Sequence, residues 1–264
     1  MAIYDINGNK LVSSSSGADG ANCLNGKSLC CAGDSLTAGA GVDNVSALTY
    51  GAVCAANNGM TFTNAGANGA TISTAKPTNT FVSRYQNIGQ HDYLVLWFGF
   101  NDFRYGVTNL KNMYCQENYS ADYADCTEDQ KAVCDGLKDW NAAFVGDMDG
   151  TDTATWCGAW NTVLAHYTKT YPDMHIGVIL PIVTSEALKD PMRDALIALC
   201  KKYGIPYIDS MNVNDWCCFG YTEGLSSDMQ SYYFTTRTGD GYLHPNERAY
   251  RMMANQLTEF LCRI

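Results

Sequence analysis

The stretch Leu29-Cys30-Cys31-Ala32-Gly33-Asp34-Ser35-Leu36 decides the fold. A short run of small and apolar residues stops at Gly-Asp-Ser, and the pattern then turns helical. An apolar run of this length bounded by glycine reads as a strand. A strand that delivers a serine to the start of a helix exposes its hydroxyl at the edge of the sheet. There the unpaired helix N–H groups favour developing negative charge.

Working outward, the strand-then-helix pattern repeats. The first core strand is Ser28 to Ala32, with a helix after it through about Asn57. Thr61 to Ala65, Tyr93 to Gly99, Gly177 to Val183 and Pro206 to Met211 read as strands two to five. Between them Trp156, Trp160, Val163 and Tyr167 recur at helical spacing, as do Met192, Leu196, Leu199 and Tyr203. A last helix starting at Pro245 gathers Ala249, Met252, Met253, Leu257, Phe260 and Leu261 on one face. This alternation predicts a flavodoxin-like three-layer α/β/α fold with a five-stranded parallel sheet and right-handed crossovers. Ligands of such folds bind beyond the carboxyl ends of the strands. Ahead of this domain, Ile3 to Val12 alternates around Asn7-Gly8 as a hairpin, and Ser13 to Asn22 is a Ser/Gly/Ala/Asn linker. Residues 1–22 therefore read as an appendage and 23–264 as the main domain, with an insertion at about 104–155.

Composition narrows the partners. Hydrophobic residues at 46% and aromatics at 12% give a globular chain with an ample core. A formal net charge of -10, with 17 basic residues and no basic run, argues against nucleic acid or an anionic membrane. No apolar stretch approaches the roughly 20 residues of a membrane span. Met1 to Lys10 lacks both the basic start and the apolar core of a signal peptide. The twelve cysteines show no C-x-x-C and no other metal grammar, so neither a metal nor a cofactor is expected. Cys30, Cys31 and Cys200 fall in core elements as small buried hydrophobes. Cys115, Cys126, Cys134 and Cys157 lie in a polar, loop-like stretch with little core of its own, where disulfides would compensate. Disulfides in turn imply an extracellular location.

Four blocks carry the chemistry: Gly33-Asp34-Ser35, Asn64-Ala65-Gly66-Ala67-Asn68-Gly69, Gly99-Phe100-Asn101-Asp102, and Asp240-Gly241-Tyr242-Leu243-His244-Pro245-Asn246. A serine nucleophile at neutral pH needs a neighbouring base. His166 lies inside an amphipathic pattern, and His91 and His175 sit at strand starts, the wrong end of a parallel sheet. His244 alone occupies a loop ahead of a helix. In this order the blocks resemble the SGNH (GDSL) hydrolase family over roughly residues 28 to 262.

The resemblance implies a metal-free esterase or acylhydrolase working through an acyl-Ser35 intermediate. His244 would be its base and Asp240 the carboxylate that fixes the imidazole. The Ser35 N–H, the Gly69 N–H and the Asn101 side-chain amide would form the oxyanion hole. The family spacing is Asp-x-x-His, whereas this chain has Asp-Gly-Tyr-Leu-His, one residue longer. A backbone carbonyl or Asp228 is the alternative partner for His244. Acetylated carbohydrate and short acyl esters are the expected substrates, with lysophospholipids and thioesters as alternatives. A non-catalytic glycan-binding or adhesion module, attached through the hairpin to a larger extracellular or phage-tail assembly, is a further reading. Taken singly, Ser35 is also a good helix N-cap, and Gly69 and Asn101 are ordinary turn residues. Asp34 and Asp102 read as loop-ordering acids. Phe98, Phe100, Phe103 and Tyr105, with Trp216, Phe219, Tyr221 and Tyr232 to Phe234, are divided between core and cleft wall.

Overall fold

Side chains of a strand alternate between the two faces of its sheet, and here both faces are apolar. In β1 (Ser28–Gly33), Cys30 and Ala32 join one core while Leu29 and Cys31 join the other. β3 (Tyr93–Trp97) is buried along its whole length and divides in the same way, Leu94 and Leu96 against Tyr93, Val95 and Trp97. The structure is a computed structural model that describes residues 22–76, 78–210, 234–235 and 244–264. The hairpin expected at Ile3 to Val12 lies outside the described residues, as do Asp228 and Asp240.

β2 (Thr61–Asn64), β4 (His175–Ile179) and β5 (Tyr207–Ile208) complete a sheet of order β2-β1-β3-β4-β5, with every neighbouring pair parallel. The predicted three-layer α/β/α architecture with five parallel strands is thus the one observed. Boundaries differ at the ends. β4 starts two residues earlier than the pattern suggested and stops short of Pro181, which has no N–H for the ladder. β5 is only two residues long. The single helix expected after β1 is three: α1 (Ser35–Ala38), α2 (Val45–Leu48) and α3 (Tyr50–Asn58). Gly39-Ala40-Gly41 interrupts it, and Thr49 re-caps the chain by accepting a hydrogen bond from the Ala52 N–H.

On one face, α7 (Trp156–Thr170) and α8 (Glu186–Tyr203) cover the sheet through Trp156, Trp160, Val163, Leu196 and Leu199. On the other, α3 and α9 (Glu247–Leu261) close it through Tyr50, Val53, Tyr250, Met253 and Leu257. The helix expected to begin at Pro245 begins at Glu247, because the Asn246 side chain caps it on the Ala249 N–H. His244–Pro245 instead forms β7, antiparallel to β6 (Phe234–Thr235).

The insertion corrects the sequence reading. Residues expected to be loop-like are helical: α4 (Phe100–Tyr119), α5 (Glu128–Gly136) and α6 (Trp140–Val145). They do have a core of their own, formed by Cys115, Cys126, Cys134 and Trp140. Thr127 and Gln130 cap α5 reciprocally, and the Trp140 indole N–H donates to the Cys134 carbonyl at 2.9 Å. Apolar burial and capping supply the support that disulfides were expected to give. The ten described cysteines are all free thiols. Cys157 does not join the other three; its thiol lies 3.7 Å from the Met148 sulfur.

Trp160 is fully buried between Phe98 and Trp156. Trp160→Ala is expected to lower stability by about 3–5 kcal/mol, read as a shift of the urea midpoint with unchanged slope.

Candidate active site

α1 opens directly after β1, with Ser35 as its first residue and Asp34 as its cap. The Asp34 carboxylate accepts from the Leu36 N–H at 2.9 Å, so the cap is Asp34 and the Ser35 side chain is left for other work. The Ser35 hydroxyl lies 3.0 Å from His244 Nε2. These residues are 209 apart in sequence, and two features of α1 and α9 bring them together. The Tyr250 hydroxyl donates to the Leu36 carbonyl at 2.8 Å, tying the last helix to the serine helix. Gly41 lies against the His244-Pro245 segment so closely that a Cβ there would sit 1.9 Å from the Pro245 carbonyl oxygen. Of the other histidines, His166 packs on Tyr85, and His175 stacks on Tyr93. His91 lies ahead of β3.

The second and third blocks meet the first from β2 and β3. Asn101 sits in the first turn of α4, buried, and its Nδ2 donates to the Ala70 carbonyl at 3.0 Å. The same Nδ2 makes a long 3.5 Å contact with Asp34 Oδ2, near the outer limit of a hydrogen bond. Gly69 has φ +69°, a left-handed conformation that costs a glycine little. Its loop is held carbonyl by carbonyl. Arg84 Nη1 donates to Ala65, Asn79 Nδ2 to Asn68, Lys76 Nζ to Gly69 and Asn101 Nδ2 to Ala70. Lys76, Asn79, Arg84 and Gly41 were not singled out in the sequence, and no local pattern marks them, since each acts through a contact made by folding.

Asp34 and Asp102 order loops, as read from the sequence. Asp102 accepts from the Ile72 N–H, the Ser73 N–H and the Ser73 hydroxyl, binding α4 to the segment after Gly69. Burial pushes the Asp34 carboxyl up to about 7, with the Leu36 N–H opposing and the charge of Asp102 reinforcing the rise. Burial likewise pushes Asp102 up to about 6, against its hydrogen bonds from Ser73 and Ile72.

The aromatics divide. Phe98 is core, packed on Phe81 and Trp160. Phe100 and Phe103 meet edge-to-face and are partly buried beside Asn101, and Tyr105 is exposed. Trp216, Phe219, Tyr221, Tyr232 and Tyr233 lie outside the described residues. Among the described residues no group of three or more His, Cys, Asp or Glu side chains is placed to hold a metal ion, and no helix is long and apolar enough to cross a membrane.

A serine–histidine pair stands at the carboxyl ends of the strands of a parallel α/β/α sheet, where ligands of such folds bind. The family model of the GDSL-like lipase/acylhydrolase family matches residues 31–252, and the chain belongs to that family of carboxylic ester hydrolases. Solved structures share the fold at low identity. A protein from Lactobacillus plantarum is 19% identical with a TM-score of 0.59, covering 91% of this chain and 98% of its own. A candidate GDSL-like lipase from Bacteroides uniformis is 17% identical with a TM-score of 0.56, covering 90% and 97%. LAE5, an alpha/beta hydrolase enzyme from the metagenome of Lake Arreo, Spain, is 16% identical with a TM-score of 0.52, covering 91% and 97%. No curated protein matches the sequence.

Two outcomes are expected. Gly41→Ala will push the Pro245 carbonyl away and move His244 off Ser35, so kcat will fall by at least about tenfold while circular dichroism stays native; unchanged kcat would show that the close approach is unimportant. The buried acids give the second. Their folded pKa values lie above the unfolded value of 3.8, so between roughly pH 4 and 7 the native state binds more protons than the unfolded chain. Their contribution to stability therefore falls as pH rises through that window. The melting temperature of Asp34→Asn relative to wild type is expected to climb from about pH 5 to about pH 8, because an amide keeps the cap without the buried charge.

Proposed function

We propose that the chain is a serine esterase that cleaves carboxylic esters through an acyl-Ser35 intermediate, with O-acetylated carbohydrate or short acyl esters as substrates. The observation that carries this is the 3.0 Å separation of Ser35 Oγ and His244 Nε2, the reach a general base needs. In the productive tautomer Nε2 accepts the Ser35 hydroxyl proton as Oγ attacks the ester carbonyl. The tetrahedral oxyanion is then met by the N–H groups of Ser35 and Gly69 and the Asn101 side-chain amide. His244 gives the proton to the departing alcohol. It next takes one from water, which attacks the acyl carbon and releases the acid and free Ser35.

Asp240 is assigned the third role, accepting from His244 Nδ1 and fixing that tautomer. The substrate lean rests on two features. The net charge of -10 opposes an anionic lipid surface. Phe100, Phe103 and Tyr105 stand on the helix that carries Asn101, Tyr105 exposed and the other two partly buried, and aromatic side chains there favour a sugar substrate. The twelve cysteines favour an extracellular setting.

Hydrolysis of p-nitrophenyl acetate against longer acyl chains, together with acetate release from an acetylated polysaccharide, tests the reading. Wild type is expected to prefer the acetyl ester, and folded Ser35→Ala to lose turnover. Asn101→Ala should lower kcat by roughly two to three orders of magnitude with little change in KM. Asp240→Asn should lower kcat by up to about ten-thousand-fold. Turnover retained in Ser35→Ala would overturn the mechanism, and a folded wild type without turnover would favour a glycan-binding module.

A further inference from the structure

Eight of the ten described cysteines are buried, and the two exposed ones, Cys23 and Cys262, touch each other. Their sulfurs are 3.2 Å apart across 239 positions of sequence. Neither sits on a loose tail. Cys23 lies in the turn before β1, where Leu24 is fully buried and the Asn22 amide donates to Asn58. Cys262 ends α9, directly after the fully buried Leu261. One turn earlier, Thr258 accepts from Asn58 and meets the Cys54 thiol. α3 therefore packs beside both ends and holds them in place.

We propose that Cys23 and Cys262 form an intramolecular disulfide that staples the start of the α/β domain to its last helix. The oxidant class is a soluble disulfide such as oxidised glutathione. Both thiols are exposed, so a soluble oxidant can reach the pair and exchange can start at Cys23. The Cys23 thiolate attacks one sulfur of the oxidant, forming a mixed disulfide and expelling one thiolate. Cys262 then loses its proton and attacks Cys23 Sγ, expelling the second. Two protein thiols are oxidised and one small-molecule disulfide is reduced to two thiols. Access separates this pair from Cys115, Cys126 and Cys134, which are close but enclosed around Trp140. The closed bond constrains the unfolded chain over nearly the whole domain. In a reducing compartment the pair stays open, and in an oxidising one it closes.

The inference is independent of the esterase mechanism and is tested on the whole chain. The folded protein is incubated with oxidised glutathione, alkylated without reduction and digested with trypsin. The peptides spanning 11–27 and 252–263 hold one cysteine each, so a species joining them identifies the bond. That species is expected, along with a melting temperature raised by roughly 5–15 °C in wild type and in neither Cys23→Ser nor Cys262→Ser. Recovery of the two peptides unlinked, whether alkylated or each carrying glutathione, would overturn the proposal. So would linkage confined to other cysteines, or an equal rise in the two serine variants.

Discussion

The register between β1 and β3 is the constraint on which the site depends. Gly33 pairs with Trp97 at the carboxyl ends of the two strands, so the chain leaves both at the same height. Ser35 follows two residues after Gly33, and Asn101 four after Trp97, each in the first turn of a helix. β2 joins from the other side with Cys31 opposite Asn64. The pairing continues past the strand as the Ala65 and Ala67 N–H groups donate to the Cys31 and Gly33 carbonyls. A one-residue shift of β3 against β1 would turn Leu94 and Leu96 out of one core and into the other, so packing on both faces locks that register.

The price of ordering three loops this tightly is the burial of two carboxylates. Asp34 and Asp102 are almost fully enclosed, and both are held above the ordinary carboxylate range. Between them they fix the first turn of α1, the first turn of α4 and the segment after Gly69. Asn101 stands between them, reaching Asp34 and the Ala70 carbonyl. Burial of the two acids lowers stability at neutral pH, and their hydrogen bonds order the loops around Ser35 and Asn101.

The insertion shows how helix caps and a small apolar cluster make an independent unit inside a polar sequence. Its helices dock on the main core through Phe144, which fills the space beside Gly106, and through contacts of α6 with α8. The same helix, α4, carries Asn101 in its first turn and Cys115 in the insertion's own core.

The sequence by itself determined the fold class, the order of strands and helices, and the serine and histidine that meet. These follow from period-two burial, helical spacing and the turn residues at strand ends, which act over a few residues and leave a local imprint. It also marked Asp34 and Asp102 as acids that order loops by hydrogen bonds. It could not locate the break after Ala38 or the start of α9, which depend on competing caps. Nor could it see the helical insertion, because its apolar residues are sparse and include cysteines that pack as hydrophobes. Tertiary structure alone decided that Gly41 must admit the Pro245 carbonyl, that Arg84, Asn79 and Lys76 hold the Gly69 loop, and that Cys23 meets Cys262. Each of these joins residues distant in sequence or in unrelated turns, and such contacts have no period to betray them.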